Sequence, residues 1–133
     1  MMSAMADGKA EVTIDRSPDE VWKLLREFGG LADWMPGIES CRVDGDVRTL
    51  QTMGIEIREQ LRSLDDDGRR ISYSVVASPM GNLESHLATI SVDPQGSGSH
   101  VTWAVEVVPD ELLALFLPVY EGSVVELKKQ LES

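Results

Sequence analysis

The sequence predicts a single α+β domain that combines one antiparallel sheet with three helical segments. Three observations lead to this fold class. The chain has 133 residues, the usual size of one domain. Residues 38–108 alternate apolar and polar side chains with period two, and clusters of glycine, asparagine and aspartate interrupt the alternation. On either side of this region the apolar residues instead recur with helical spacing.

The chain is expected to begin with one strand and one short helix. Residues 1–9 are mostly small or polar and are predicted to be disordered. Residues 10–15 alternate in character, which indicates a strand with one buried face. Ser17 is a suitable N-cap for the helix that follows, Pro18 fits its first position, and Glu20 completes a capping box.

Residues 31–37 predict a second short helical turn or an ordered loop, which Pro36 and Gly37 stop. A meander of six strands with short turns follows. The predicted strands are residues 38–44, 47–53, 55–64, 69–77, 83–93 and 99–108. Because the connections are short, consecutive strands are expected to pair antiparallel.

The last segment, from Asp110 onward, is predicted to be one long helix. Asp110 can cap its start, and Lys128 and Lys129 lie where the negative end of the helix dipole favours cations. Pro118 removes one helical hydrogen bond, so the helix is expected to kink or restart there.

Composition argues against several functional classes. The net charge of −11 repels phosphate backbones, so nucleic acid is not an expected partner. The longest apolar run, residues 112–120, is too short to span a bilayer, and no membrane insertion is expected. The single cysteine, Cys41, cannot form an intramolecular disulfide, and residues 1–8 lack the pattern of a secretory signal. These features predict a soluble, cytoplasmic protein.

Four short phrases, in this order and spacing, carry a resemblance to a known family. They are residues 17–22 (Ser-Pro-Asp-Glu-Val-Trp), 34–38 (Trp-Met-Pro-Gly-Ile), 70–75 (Arg-Ile-Ser-Tyr-Ser-Val) and 98–103 (Gly-Ser-His-Val-Thr-Trp). From residue 10 onward the chain resembles the START-like superfamily, which includes the birch pollen allergen and the bacterial polyketide cyclase/dehydrase (SRPBCC) proteins. The resemblance implies a helix-grip fold, in which a curved, seven-stranded antiparallel sheet wraps around the long C-terminal helix. It also implies an internal cavity, which in relatives holds sterols, lipids, polyketides or plant hormones.

Within that fold, the odd-numbered residues of the central strands are predicted to face the cavity, because they form the more apolar phase in most strands. The strand over residues 83–93 is ambiguous. Its odd phase contains Leu87, whereas its even phase contains Ala88, Ile90 and Val92, and the odd phase is chosen here. The predicted ligand-binding residues are Trp34, Met35, Ile57, Glu59, Tyr73, Val75, Met80, Leu87, Trp103, Phe116, Leu117 and Tyr120.

Glu59 is the most informative of these residues, because it interrupts an apolar inward-facing row. A buried carboxyl group is unfavourable unless it is paired or hydrogen-bonded, and desolvation raises its pKa. Tyr73 on the neighbouring strand offers a hydroxyl, so the two side chains could orient a ligand or exchange a proton with it. The alternatives are that a buried arginine or the backbone satisfies Glu59, or that Glu59 faces outward.

Other kinds of site find little support in the sequence. Neither His86 nor His100 has a second histidine or a cysteine at metal-ligand spacing. The glycines within residues 96–98 precede a strand, whereas a phosphate-binding loop precedes a helix. No serine lies in a nucleophile elbow. We therefore predict no metal, no cofactor and no covalent hydrolysis.

Three hypotheses for function follow, since a fold alone does not define an activity. The first is binding or transport of a small hydrophobic ligand, such as a lipid, polyketide or quinone-like molecule, without catalysis. The second is an enzyme of the polyketide cyclase/aromatase type, in which Glu59 and Tyr73 transfer protons. The third is a toxin-like or chaperone-like interaction module. The acidic charge favours a basic protein over RNA as its partner, and a homodimer is the other assembly considered.

Overall fold

The computed structural model describes residues 4–79 and 82–133. The strands are β1 (Ala6–Ile14), β2 (Ile38–Asp44), β3 (Val47–Thr52), β4 (Ile55–Asp65), β5 (Arg70–Ala77), β6 (Ser85–Gln95) and β7 (Gly98–Val108). The helices are α1 (Pro18–Leu25), α2 (Leu31–Trp34) and α3 (Leu113–Glu132), and a 3-10 turn (Asp110–Leu112) leads into α3. The strands form one antiparallel sheet in the order β1-β7-β6-β5-β4-β3-β2, and α3 packs on β1 and β7. The predicted helix-grip fold is confirmed.

The first strand begins at Ala6, earlier than the predicted start at residue 10. The predicted disorder is therefore wrong for residues 6–9, which pair with β7 from Ala6 opposite Val107 to Lys9 opposite Ala104. A polar segment gives little strand signal by itself, but a neighbouring strand supplies its hydrogen bonds in the folded chain. Residues 1–3 lie outside the described part of the chain.

The first helix starts as predicted. The Glu20 N–H donates to Ser17 Oγ at 3.2 Å, and Pro18 occupies the first helical position. Trp22 Nε1 donates to Asp66 Oδ1 at 2.9 Å, which connects α1 to the turn between β4 and β5. A side-chain cap and one long-range hydrogen bond thus hold the short helices against the sheet.

The long helix continues through Pro118, so of the kink or restart predicted at this residue the restart does not occur. Phe116 and Tyr120, on either side of Pro118, are both buried. Their packing offsets the loss of one hydrogen bond, since tertiary contacts contribute most of the stability of a helix in a protein. Within the described residues, no helix is long and apolar enough to cross a bilayer.

A tight hairpin determines the register of β3 and β4. Met53 and Gly54 form its two-residue turn, with φ values of 52° and 77°, as a type I′ turn requires. The register that follows places Arg48 directly opposite Glu59. Two charged residues are therefore neighbours on the inner face of the sheet.

Strand β6, whose inward-facing phase was ambiguous from the sequence, presents its even-numbered residues to the core. His86, Ala88, Ile90 and Val92 are buried, whereas Leu87 is half-buried on the opposite face. The odd phase chosen for this strand is therefore wrong, and the alternative phase is correct. The cause lies in the register: Ala88 pairs with Tyr73, so even positions of β6 lie beside inward-facing odd positions of β5.

Candidate ligand cavity

A cavity of about 540 Å³ lies between the inner face of the sheet and α3. Strands β3, β4, β5 and β7 supply one wall, and α2, the loop after it and α3 supply the others. Most of the lining side chains are apolar, among them Leu50, Ile57, Val75 and Phe116. A volume of this size is typical of sites that enclose a small organic molecule.

The mouth of the cavity is formed by exposed apolar side chains. Met53 and Ile55 at the β3–β4 turn are 87% and 40% exposed, and Leu115 and Val119 on α3 are each 58% exposed. We call these four residues the apolar lip. Their exposure shows that the cavity opens to solvent at this end, so a ligand could enter without unfolding the sheet.

A glycine in α3 leaves space at the cavity wall. Gly122 lines the cavity, and a Cβ atom built on it would meet no other atom within 4 Å. Glycine inside a helix is about 0.5–1 kcal/mol less favourable than alanine. No close packing contact requires glycine here, and the position is open at the cavity wall.

The inner end of the cavity contains a buried ion pair. Arg48 Nε donates to Glu59 Oε1 at 2.8 Å, and Arg48 Nη2 lies 2.7 Å from the same oxygen in an ion pair. Arg48 Nη1 also donates to the Phe28 carbonyl at 3.0 Å, and its guanidinium carbon lies 4.2 Å and 4.7 Å from the ring centres of Phe28 and Tyr73. Glu59 thus faces inward as predicted, and a buried arginine pairs with one of its oxygens, as one of the alternatives proposed.

The second oxygen of Glu59 has no protein partner. Both Arg48 contacts go to Oε1, and among the described residues no hydrogen bond reaches Oε2. Burial raises the pKa of the Glu59 carboxyl, and the Arg48 charge opposes that rise. Because Glu59 lines the cavity, Oε2 can contact a bound molecule.

Two tyrosines complete the polar end of the cavity. Trp103 Nε1 donates to the Tyr73 hydroxyl oxygen at 3.0 Å, and His86 Nε2 lies 2.8 Å from the Tyr120 hydroxyl oxygen. The Val75 N–H donates to His86 Nδ1 at 3.0 Å. This bond assigns the proton of the neutral imidazole to Nε2, which therefore donates to Tyr120.

His86 replaces part of the sheet ladder. Cα pairing between β5 and β6 ends at Tyr73 opposite Ala88, and beyond it the His86 ring accepts the Val75 N–H. The ring also lies 4.7 Å from that of Phe116. Burial lowers the pKa of His86 to about 4, so the imidazole is neutral at pH 7.

This shift predicts a specific loss of stability in acid. The folded-state pKa is below the ordinary value of 6.5, so the unfolded chain binds more protons between pH 6.5 and 4. The His86 contribution is fully present above pH 6.5 and declines as the pH falls. From pH 7.5 to 5, wild type should lose about 2 kcal/mol more unfolding free energy than His86→Asn.

Urea unfolding at the two pH values measures this difference. His100→Asn is the comparison that removes the other histidine, whose ring contacts Glu11 near the surface, and its unfolding is measured at the same two pH values. An equal pH dependence in wild type and His86→Asn would contradict the assignment.

Eight predicted ligand-binding residues line the cavity: Met35, Ile57, Glu59, Tyr73, Val75, Trp103, Phe116 and Tyr120. Three others do not. Trp34 is buried behind the cavity, Leu87 lies on the outer face of the sheet, and Leu117 packs beside Gly8 of β1. Leu117 does not line the cavity, because Phe116 and Tyr120, four residues apart, share the inner face of α3. The side chain of Leu117, next to Phe116 in the sequence, is rotated away from that face. Met80 lies outside the described residues.

The sequence interpretation missed Arg48, His86 and Gly122. Arg48 could have been found by counting outward from the Met53-Gly54 turn, which pairs it with Glu59. His86 belongs to the even phase that was not chosen. A glycine in the middle of an otherwise good helix was the signal for Gly122.

The curved seven-stranded sheet, the long terminal helix and the cavity between them define the fold of the START-like superfamily. The model of the family described as polyketide cyclase / dehydrase and lipid transport matches residues 5–132. The chain therefore belongs to this family. Its members typically bind hydrophobic ligands, and some of them are enzymes.

Several solved structures are similar to this one. An uncharacterised protein from Bacillus thuringiensis is 28% identical, with a TM-score of 0.88 over 96% of this chain and 100% of that chain. The protein XoxI from Bacillus cereus is 31% identical, with a TM-score of 0.83 over 96% and 94%. Norcoclaurine synthase from Thalictrum flavum, at 18% identity, shares the fold with a TM-score of 0.79 over 98% and 88%. A search of curated proteins finds no match to the chain.

Proposed function

We propose that this protein binds a small, largely apolar molecule in its cavity and carries it in the cytoplasm without converting it. The observation that carries the proposal is the cavity of about 540 Å³ with apolar walls and an apolar lip. The ligand classes that fit are lipids, polyketides and quinone-like molecules. In support, norcoclaurine synthase, which has the same fold, has been crystallised with dopamine and hydroxybenzaldehyde.

The state of the polar groups favours a carrier over an enzyme. Burial raises the pKa of the Tyr73 hydroxyl, which makes this group a poor proton donor. His86 is neutral, and both of its ring nitrogens already make hydrogen bonds within the protein. Neither Tyr73 nor His86 is therefore well suited to transfer a proton to or from a ligand.

A cyclase-type enzyme is the second candidate, and Glu59 is the observation that favours it. Its Oε2 atom lacks a protein partner and lines the cavity, where a carboxylate could accept a proton from a ligand. Tyr73 would then polarise a ligand carbonyl by hydrogen bonding. This arrangement requires a substrate with an acidic C–H or O–H group near Glu59.

Native mass spectrometry of the protein purified from its own host tests the carrier proposal. One small apolar molecule per chain is expected, and the neutral fluorescent probe N-phenyl-1-naphthylamine should bind at the same site and be displaced by the extracted molecule. A changed mass of that molecule after incubation with fresh protein would favour the enzyme. Absence of both a ligand and saturable probe binding, together with a copurified protein, would favour the interaction module instead.

A further inference from the structure

The two tyrosines at the polar end have one more proton than the protein can accept. The Tyr73 oxygen accepts the Trp103 N–H, and the Tyr120 oxygen accepts the His86 N–H. Each hydroxyl keeps its own proton. One of these protons can bond to the other hydroxyl, because Tyr73 and Tyr120 lie close enough to affect each other's pKa. The second proton then has no acceptor among the described residues.

Glu59 Oε2 provides the complementary group. Oε1 accepts the Arg48 Nε–H and lies 2.7 Å from Arg48 Nη2, so any proton that Glu59 binds must lie on Oε2. When the carboxyl group is ionised, Oε2 is an acceptor, and when it is protonated, Oε2 is a donor. A group that donates to the ionised Oε2 and also meets the free tyrosine proton must therefore be able both to donate and to accept.

A neutral hydroxyl group meets this requirement with a single atom, whereas a ketone, an ether, a carboxylate or an ammonium group does not. A ketone or ether only accepts, so it leaves an ionised Oε2 without a partner. A carboxylate adds a second negative charge beside Glu59, and an ammonium group adds a positive charge that the Arg48–Glu59 pair does not balance. Selection of a ligand with a hydroxyl over one without it is strong where the buried polar groups of the site would otherwise remain unpaired.

We propose that the cavity selects an apolar ligand that carries an alcohol, phenol or enol hydroxyl. This hydroxyl donates to Glu59 Oε2 and accepts the free tyrosine proton of the Tyr73–Tyr120 pair, while the rest of the ligand extends toward the apolar lip. The inference rests on the proposed function, because it specifies which class of molecule the cavity binds. It makes Glu59 and the tyrosine pair the residues that determine ligand specificity.

Two probes of the same shape test the inference by isothermal titration calorimetry. 2-Naphthol carries a hydroxyl where 2-methylnaphthalene carries a methyl group. Wild type should bind 2-naphthol about tenfold more tightly, the size expected for two modest hydrogen bonds. A purely apolar cavity would show the opposite order, because it would desolvate the hydroxyl without compensation.

The Arg48→Met/Glu59→Leu variant removes Oε2 without leaving a buried charge unpaired, and it should reverse the preference while it still binds 2-methylnaphthalene. The matched control is Arg58→Met/Glu56→Leu, which removes an exposed charged pair on β4, the strand of Glu59. This control should keep the wild-type preference for 2-naphthol. If the double variant does not fold, the relative affinity of wild type for 2-naphthol and 2-methylnaphthalene tests the inference by itself. Tighter or equal binding of 2-methylnaphthalene by wild type would overturn this inference and leave the carrier proposal intact. Binding of neither probe would overturn both.

Discussion

Replacing Arg48 with methionine is expected to lower the unfolding free energy by about 3–5 kcal/mol, because it leaves the Glu59 carboxylate buried without its charged partner. Arg48 and Glu59 are 5% and 7% exposed, and a hydrogen bond of 2.8 Å and an ion-pair contact of 2.7 Å join them. Methionine keeps most of the side-chain volume, so a packing defect contributes little to the loss. Urea unfolding monitored by circular dichroism measures the change.

The pH dependence of this loss identifies its cause. Without Arg48, burial alone acts on the Glu59 carboxyl and raises its pKa further. The penalty is then present above that raised pKa and is relieved as the pH falls through it, because the protonated carboxyl no longer carries a charge. The deficit of Arg48→Met should therefore be smaller at pH 5 than at pH 7.5.

Two further variants distinguish an unpaired charge from other defects. Arg48→Met/Glu59→Leu removes both charges and should return to within about 2 kcal/mol of wild type. Arg58→Met removes an arginine that is 54% exposed on β4, the strand of Glu59, and should change stability by no more than about 1 kcal/mol. If Arg48→Met were no less stable than Arg58→Met, the ion pair would not have the structural role assigned to it.

Replacing Gly122 with tryptophan is expected to abolish ligand binding, with at least about a hundredfold loss of affinity for N-phenyl-1-naphthylamine. The glycine faces open space at the cavity wall, so an indole at this position would occupy the volume that the ligand needs. Because a Cβ atom at this position meets no other atom within 4 Å, the fold should be retained. Fluorescence titration measures the affinity, and thermal unfolding verifies the fold.

Two controls accompany this variant. Gly122→Ala adds a single methyl group and should keep the affinity while it stabilises α3 by about 0.5–1 kcal/mol. Val125→Trp places the same indole on α3 at a position that is 63% exposed, and it should not affect the affinity. Wild-type affinity in Gly122→Trp would show that the ligand lies elsewhere and would count against the cavity as the binding site.

Local patterns were sufficient for the order and type of the elements. Strand alternation, turn residues and the Ser17 cap each act over a few residues, so a single sequence contains them. The predicted bounds of β2 are those observed, residues 38–44. The inward position of Glu59 follows from the same alternation, as do those of Tyr73 and Trp103.

Contacts between residues far apart in the sequence determined the start of β1, the continuity of α3 and the orientation of β6. β1 extends to Ala6 because β7 pairs with it, and α3 continues through Pro118 because its flanking aromatic side chains are buried. The orientation of β6 depends on its register with β5, which no short stretch of sequence encodes when both phases are apolar.

Local sequence patterns were enough to predict the fold class, the family resemblance and a carboxyl group on the inner face of the sheet. Only the tertiary structure showed that Arg48 bonds one oxygen of Glu59 and leaves the other for the cavity, and that His86 and Trp103 occupy the tyrosine oxygens. The physical reason is that hydrogen bonding is directional and short-ranged. The partner of each polar atom therefore depends on how distant strands and α3 are brought together, whereas burial of an apolar face depends mainly on local pattern.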